Sequence, residues 1–246
     1  MAARPFASKM LQVLTSLATR ANPENHPLLQ VKGDQNVELL VVTADRGLAG
    51  AFNANLIKAA LIFLEERRDY NLTLHLVGRK GYEFFKRRKF SISNYYLNIF
   101  RTLQYQHAKD IAQKSIRSYL DGNLDAIYII YNEFKSMMQQ RIVVQRLLPL
   151  ERLPEATAEQ ALDYIYEPDA ATIFDRLLPL HLEIQIYRAL LESAAAEHAA
   201  RMAAMEAATN NAKDMIQSLT LTMNKIRQAA ITKEIIEVVG GAESLS

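Results

Sequence analysis

The residues best placed to do chemistry lie in the run TADRGLAGAFN (43–53), directly after an apolar stretch that reads as a strand. Phosphates are often bound at such a place, where free backbone N–H groups meet the start of a helix. The run nevertheless fits neither G-x-G-x-x-G nor G-x-x-x-x-G-K-[ST]. Gly47 and Gly50 more simply suit a tight turn and a close approach of helix to sheet. The five histidines, His26, His75, His107, His181 and His198, are scattered, and none stands at metal-ligand spacing with a partner. His75 falls mid-strand and reads as a core or sheet-surface residue. Glu65 and Glu66 read as a solvated helix face, and the basic run KRRK (86–89) as an exposed one. No G-x-S-x-G is present. The chain has no cysteine, which excludes disulfides, thiolate nucleophiles and zinc-thiolate sites. The expected catalytic, cofactor-binding and metal-ligating sets are therefore all empty.

The elements around that run alternate. VELLVVT (37–43) predicts a buried strand, and NANLIKAALIFLEERR (53–68) a helix after the glycine turn. TLHLVG (73–78) predicts a second strand and KGYEFFKRR (80–88) a helix. HAKDIAQKSIRSYLDG (107–122) is amphipathic and stops at Gly122. AIYIIYN (126–132) and RIVVQRLLP (141–149) predict two more strands. Strands alternating with helices imply a Rossmann-like, mostly parallel sheet. ERLPEATAEQ (151–160) reads as a polar loop, and Pro168 as a boundary.

Residues 180–239 contain neither glycine nor proline and are rich in good helix formers. As one helix they would run about 90 Å, longer than a small domain is wide. Met202, Met205, Thr209, Ala212, Ile216, Leu219, Met223, Ile226 and Ala230 follow alternating steps of three and four, the seam of a coiled coil. Leu191, Ala195 and His198 continue it upstream. Near the start, Ala3, Phe6, Met10, Val13 and Leu17 form a shorter stripe, widened by Ala7 and Leu14. The two stripes can pair as an antiparallel coiled coil that joins the chain ends. The short one covers only the near part of the long helix, which leaves the seam beyond Met202 without a partner in this chain.

Twenty-nine basic residues nearly balance 27 acidic ones, which argues against a dedicated nucleic-acid binder. Half of the 246 residues are hydrophobic, enough for a packed core. No apolar run of membrane-spanning length appears, and the first ten residues lack the pattern of a secretory signal.

Three separated blocks, TADRGLAGAFNANL (43–56), LDYIYEPDA (162–170) and EHAARMAAMEAATNNA (197–212) with NKIRQAAITKEIIEVVGGA (224–242), carry a resemblance to the gamma subunits of bacterial F-type ATP synthases. AARPFA (2–7) and YNEFKSMMQQ (131–140) extend it over the whole chain. The resemblance implies a central-stalk rotor without a catalytic site of its own. Its expected partners are the alpha and beta subunits of the F1 ring, the epsilon subunit and the c-ring, at the cytoplasmic side of the bacterial inner membrane. It further implies that Arg227 and Gln228 grip a beta-subunit loop, with Thr232, Glu234 and Arg201 at neighbouring matched positions. Tyr164, Tyr166 and Glu167 match a block at the foot, near the c-ring and epsilon. The domains so expected are 1–20, a remnant of an N-terminal coiled-coil helix, 37–168, an α/β domain, and 169–246, a long helix. The resemblance implies a longer first helix, most of which is expected to lie ahead of the AARPFA block. The chloroplast form, similar but carrying a regulatory dithiol, is disfavoured by the lack of cysteine. Two other readings remain at this point: an α/β nucleotide-binding protein with a helical arm, and a free-standing coiled-coil scaffold. The missing phosphate motif speaks against the first, and the polar run RQAAITKE at the end of the seam against the second.

Overall fold

Val37 to Val42 are buried without alternation because strands flank them on both sides and helices cover both faces. The computed structural model describes residues 5, 9–10, 12–15, 26–137, 139–150 and 169–243. Its two units are Met1–Arg201 and Met202–Ser246. In the first, β1 (Asn36–Val42), α1 (Phe52–Glu66), β2 (Asn71–Val77), α2 (Arg79–Arg87), β3 (Ile92–Tyr96), α3 (Tyr105–Leu120), β4 (Ala126–Phe134) and β5 (Gln140–Leu148) follow in order. The strands form one sheet, β3-β2-β1-β4-β5. Its first three pairings are parallel, and β5 runs antiparallel to β4.

Side-chain alternation in β1 separates two cores. Val37, Leu39 and Val41 meet Leu56, Ala60 and Phe63 of α1 and Phe85 of α2. Leu40 and Val42 meet Ile111 and Ala112 of α3, together with Phe174, Leu178, Leu182 and Ile186 of α4 (Ala170–Glu243). Leu14 is fully buried in this second core, with Met10 and Val13 packed against it. Leu14 was expected only to widen its stripe. Ala3, Phe6, Ala7 and Leu17 lie outside the described residues.

Glu38 lies on the same face of β1 as Leu40, buried with His75. Its carboxylate faces His75 Nδ1 at 3.3 Å and accepts hydrogen bonds from Ser93 and Ser115. Burial pushes its pKa up, but those partners more than offset this, and the net shift is below the ordinary carboxylate value. Glu38 is thus fully engaged inside the core, paired with His75 through Nδ1, while the buried His75 Nε2 has no hydrogen-bond partner among the described residues.

One feature departs from the sequence reading. β3 was not expected; its half-exposed alternation, with Ser93 and Asn94 in five residues, gives a weak strand signal. Pro179 lies inside α4, within the long helix expected over 169–246 and just ahead of its stretch without glycine or proline. The helix begins at Asp169, whose carboxylate accepts from the Thr172 N–H and hydroxyl at 2.8 Å each, an N-terminal cap. The KRRK run closes α2, where Lys86 and Arg87 suit the negative end of the helix dipole and Arg88 stacks 3.7 Å from the Phe84 centroid.

His181 is buried on α4, and burial pushes its pKa from 6.5 to about 4. His26 shifts the same way through burial, partly opposed by Asp175. Between 6.5 and about 4 the unfolded chain binds a proton at residue 181 that the folded chain refuses, so stability falls as pH drops through that window. We expect His181→Gln to flatten the decline in urea-unfolding free energy over that range. A pH profile identical to that of the parent would rule out this source.

Candidate functional site

The carboxyl ends of β1, β2 and β3 lie along one edge, and the turn after β1 ties them together. Thr43 donates from its backbone N–H and its hydroxyl to the Val77 carbonyl, at 2.8 and 3.0 Å, and its hydroxyl accepts from Gly81 N–H at 2.9 Å. Gly78 has φ +91°, and a Cβ there would stand 2.1 Å from the Thr43 carbonyl oxygen, so only glycine fits. Asp45 accepts three backbone N–H groups from two other turns: Arg79 at 3.0 Å, Asn98 at 2.8 Å and Phe100 at 3.3 Å. Asn53 accepts from the Ala44 N–H at 2.9 Å and closes the loop onto α1. The TADRGLAGAFN run is therefore a structural knot, in which Thr43, Asp45 and Asn53 are engaged by backbone groups.

On its other side the loop meets α4. Ala44, Ala49 and Phe52 form a small core with Ala196, against which Phe134 and Ala200 pack. Small side chains let the helix approach closely. Glu197, buried, is paired with Arg201, which also reaches the Gly47 carbonyl at 3.5 Å. Arg201 was expected to meet a beta subunit; within this chain its guanidinium, about a quarter exposed, has these two partners.

Beside the knot lies a cavity of about 740 Å³. Arg46 comes from the first turn, Arg79 from the second, Phe100 and Arg101 from the third, and His198 and Arg201 from α4. Sequence inspection could not assemble these residues, because each is isolated in its own segment. The only advance signal was an aspartate and an arginine in a glycine turn after a strand.

The second unit is a different surface. Side chains from 205 to 241 are exposed, apart from the half-buried Asn224. Met202, Ile216, Leu219, Met223 and Ile226 of the seam are each more than half exposed. Arg227, Gln228, Thr232 and Glu234 stand together on this helix and are all exposed. Gln228 and Thr232 are four residues apart and share a face, as do Arg227 and Glu234 at seven. Upstream, Ala195 and His198 are exposed while Ala196 and Ala199 are buried, so the proposed seam faces away from the sheet there. Tyr164, Tyr166 and Glu167 lie outside the described residues. No cluster of histidine and carboxylate side chains able to hold a metal occurs among the described residues.

A family model described as ATP synthase matches residues 1–245. The chain is 46% identical over 246 residues to the ATP synthase gamma chain of Geobacter sp. (strain M21), an alignment covering 99% of this chain and 85% of that protein. It is equally identical, over 245 residues, to the ATP synthase gamma chain of Solibacter usitatus (strain Ellin6076), covering 98% and 85%. A chain of the Euglena gracilis mitochondrial ATP synthase, in an OSCP/F1/c-ring structure, superposes with TM-score 0.66 at 20% identity, covering 99% of this chain and 88% of that one. One from the central stalk and c-ring of the Tetrahymena thermophila enzyme gives 0.60 at 22%, covering 85% and 98%. At such identities the superpositions speak to fold.

The knot itself can be tested. Asp45→Ala removes the acceptor of three N–H groups, which partial exposure lets water replace only in part. We expect a loss of about 2 kcal/mol in unfolding free energy, measured by urea titration. An unchanged midpoint and slope would show that the three turns do not depend on this carboxylate.

Proposed function

We propose that this chain, which belongs to the family of ATP synthase gamma chains, turns as the central-stalk rotor of an F-type ATP synthase and carries torque between the c-ring and the catalytic beta subunits. The observation that carries this reading is the helix beyond Met202, exposed on every face and bearing an apolar stripe of Met, Ile and Leu. Soluble monomers rarely leave such a stripe open. A helix surrounded by other subunits would have it covered. The alpha and beta subunits of the F1 ring supply that surrounding, and the α/β unit meets the c-ring and epsilon.

In physical terms the rotor does no covalent chemistry. It biases catalytic sites that have several stable conformations, by touching each one differently as it turns. The 43–53 loop fits neither phosphate-binding motif, and the engagement of its Thr43 and Asp45 side chains by backbone groups supports a non-catalytic role. Arg227 and Gln228 grip a beta-subunit loop, with Thr232, Glu234 and Arg201 as further contacts on that side. Tyr164, Tyr166 and Glu167 serve the c-ring and epsilon contact. The complex places the chain at the cytoplasmic face of the bacterial inner membrane, held there by its partners. Among the described residues no helix is long and apolar enough to cross a membrane.

Two experiments bear on this. Arg227→Ala and Gln228→Ala, introduced into the assembled complex, should each lower proton-coupled ATP synthesis severalfold, because a desolvated charge-assisted contact is worth about 1.5–3 kcal/mol. Full synthesis and torque in both variants would reject the assignment. Separately, the chain alone should self-associate or show fast amide exchange over 205–230, and a supplied partner helix should suppress both. Sedimentation and hydrogen exchange at matched concentration decide this. A monomer with slow exchange throughout that stretch would show that the seam needs no partner.

A further inference from the structure

The cavity beside the knot is lined by four arginines against two carboxylates, an excess of two positive charges. Neither carboxylate is available to balance the remaining guanidinium groups. Asp45 already accepts three backbone N–H groups, and Glu197 is paired with Arg201. Arg46, Arg79 and Arg101 therefore have no carboxylate partner among the described residues. Arg79 is held in place by the Asn98 side-chain oxygen, 3.0 Å from Nη2. One guanidinium is thus already oriented, and the others hang from turns that the knot fixes. His198 adds a further polar group to the wall, and half-buried Phe100 an apolar surface.

We infer that this cavity is a binding site for a compact anion bearing more than one phosphoryl group, such as an inorganic oligophosphate or the phosphate chain of a nucleotide. Guanidinium groups match phosphate oxygens in pairs, with two parallel N–H donors each. The three unpaired arginines come from turns after three different strands, so a single phosphoryl group does not meet them all. The volume lies within the range of about 300–1,000 Å³ usual for small-ligand clefts. The site opens at the carboxyl ends of parallel strands, where α/β folds collect ligands because several turns converge there. An extended acidic segment spaces its carboxylates along a chain and fits a groove better than a cavity. This site binds without hydrolysing: its one well-placed carboxylate is committed to backbone donors and is not free to act as a base.

The test is titration calorimetry of the full chain with sodium pyrophosphate, for the parent and for a variant carrying Arg46→Ala and Arg101→Ala. Both side chains are exposed and make no hydrogen bond or ion pair among the described residues, so the variant should unfold at the parent's temperature. We expect saturable one-to-one binding in the parent and at least about a tenfold loss in the variant. Arg79→Lys keeps the charge but loses the paired donors and should fall between them. AMP should bind more weakly than pyrophosphate. ADP binding more tightly than pyrophosphate would identify a nucleotide as the natural source, and equal affinities an inorganic oligophosphate. No saturable pyrophosphate binding, or equal binding by the double variant, would overturn the assignment. So would a glutamate-rich peptide that binds where pyrophosphate does not, which would give the cavity to an acidic segment of a partner.

Discussion

Three backbone N–H groups, on Arg79, Asn98 and Phe100, point at the carboxylate of Asp45, and the positions of three turns follow from that convergence. Each donor sits in a turn or first helical residue just past a strand, where the ladder no longer supplies an acceptor. One side chain gathers them and so sets where α2 starts and how β3 leaves the sheet. Thr43 repeats the device one layer inward, binding the end of β2 and the first turn of α2. Because the turns are fixed, Gly47 presents its carbonyl to Arg201, and Ala44 and Ala49 present a flat surface to the alanines of α4. Removing Asp45 would therefore loosen the turns first, and the seat of the long helix afterwards.

The long helix changes character along its length. Up to Arg201 it carries buried acidic residues that are each paired: Glu183 accepts from the Tyr105 hydroxyl, Glu192 from Arg188 and Glu197 from Arg201. A buried carboxylate without such a partner would be expensive, so these pairs select one rotation of the helix against the sheet. Beyond Met202 the charges are solvated, as in the Lys233–Glu237 pair at 3.6 Å. There the apolar residues are the ones left without company.

Much of this was legible from residue order alone. The apolar runs of β1, β2 and β4 are strong signals because both faces of those strands are covered, and the seam of α4 shows because its period holds over many turns. The resemblance to gamma chains rested on blocks that the family comparison then matched end to end. β3 escaped because an edge strand with polar residues on one face has almost no period to read. Pro179 falls inside the long helix expected over 169–246: a proline costs one hydrogen bond and some crowding, which the packing of Phe174, Leu178 and Leu182 on either side outweighs. Leu14 was ranked below its neighbours because a stripe does not reveal which of its members meets the core. The arginine cavity was invisible for a deeper reason. Its members are brought together by the ends of parallel strands, and such proximity leaves no spacing rule in the sequence.

Among the described residues the sheet is open, with β3 and β5 as its outer strands. An unpaired strand edge is adhesive toward any other strand that passes it. Here one outer strand is five residues long, and the other carries Arg141 and Arg146. Arg141 is tethered to Glu133 at 3.0 Å and Arg146 to Asp34 at 3.6 Å. For a part that must sweep past stationary neighbours, low friction is as necessary as stiffness. A short border and a charged one keep the rotating body from catching on the stator by backbone pairing.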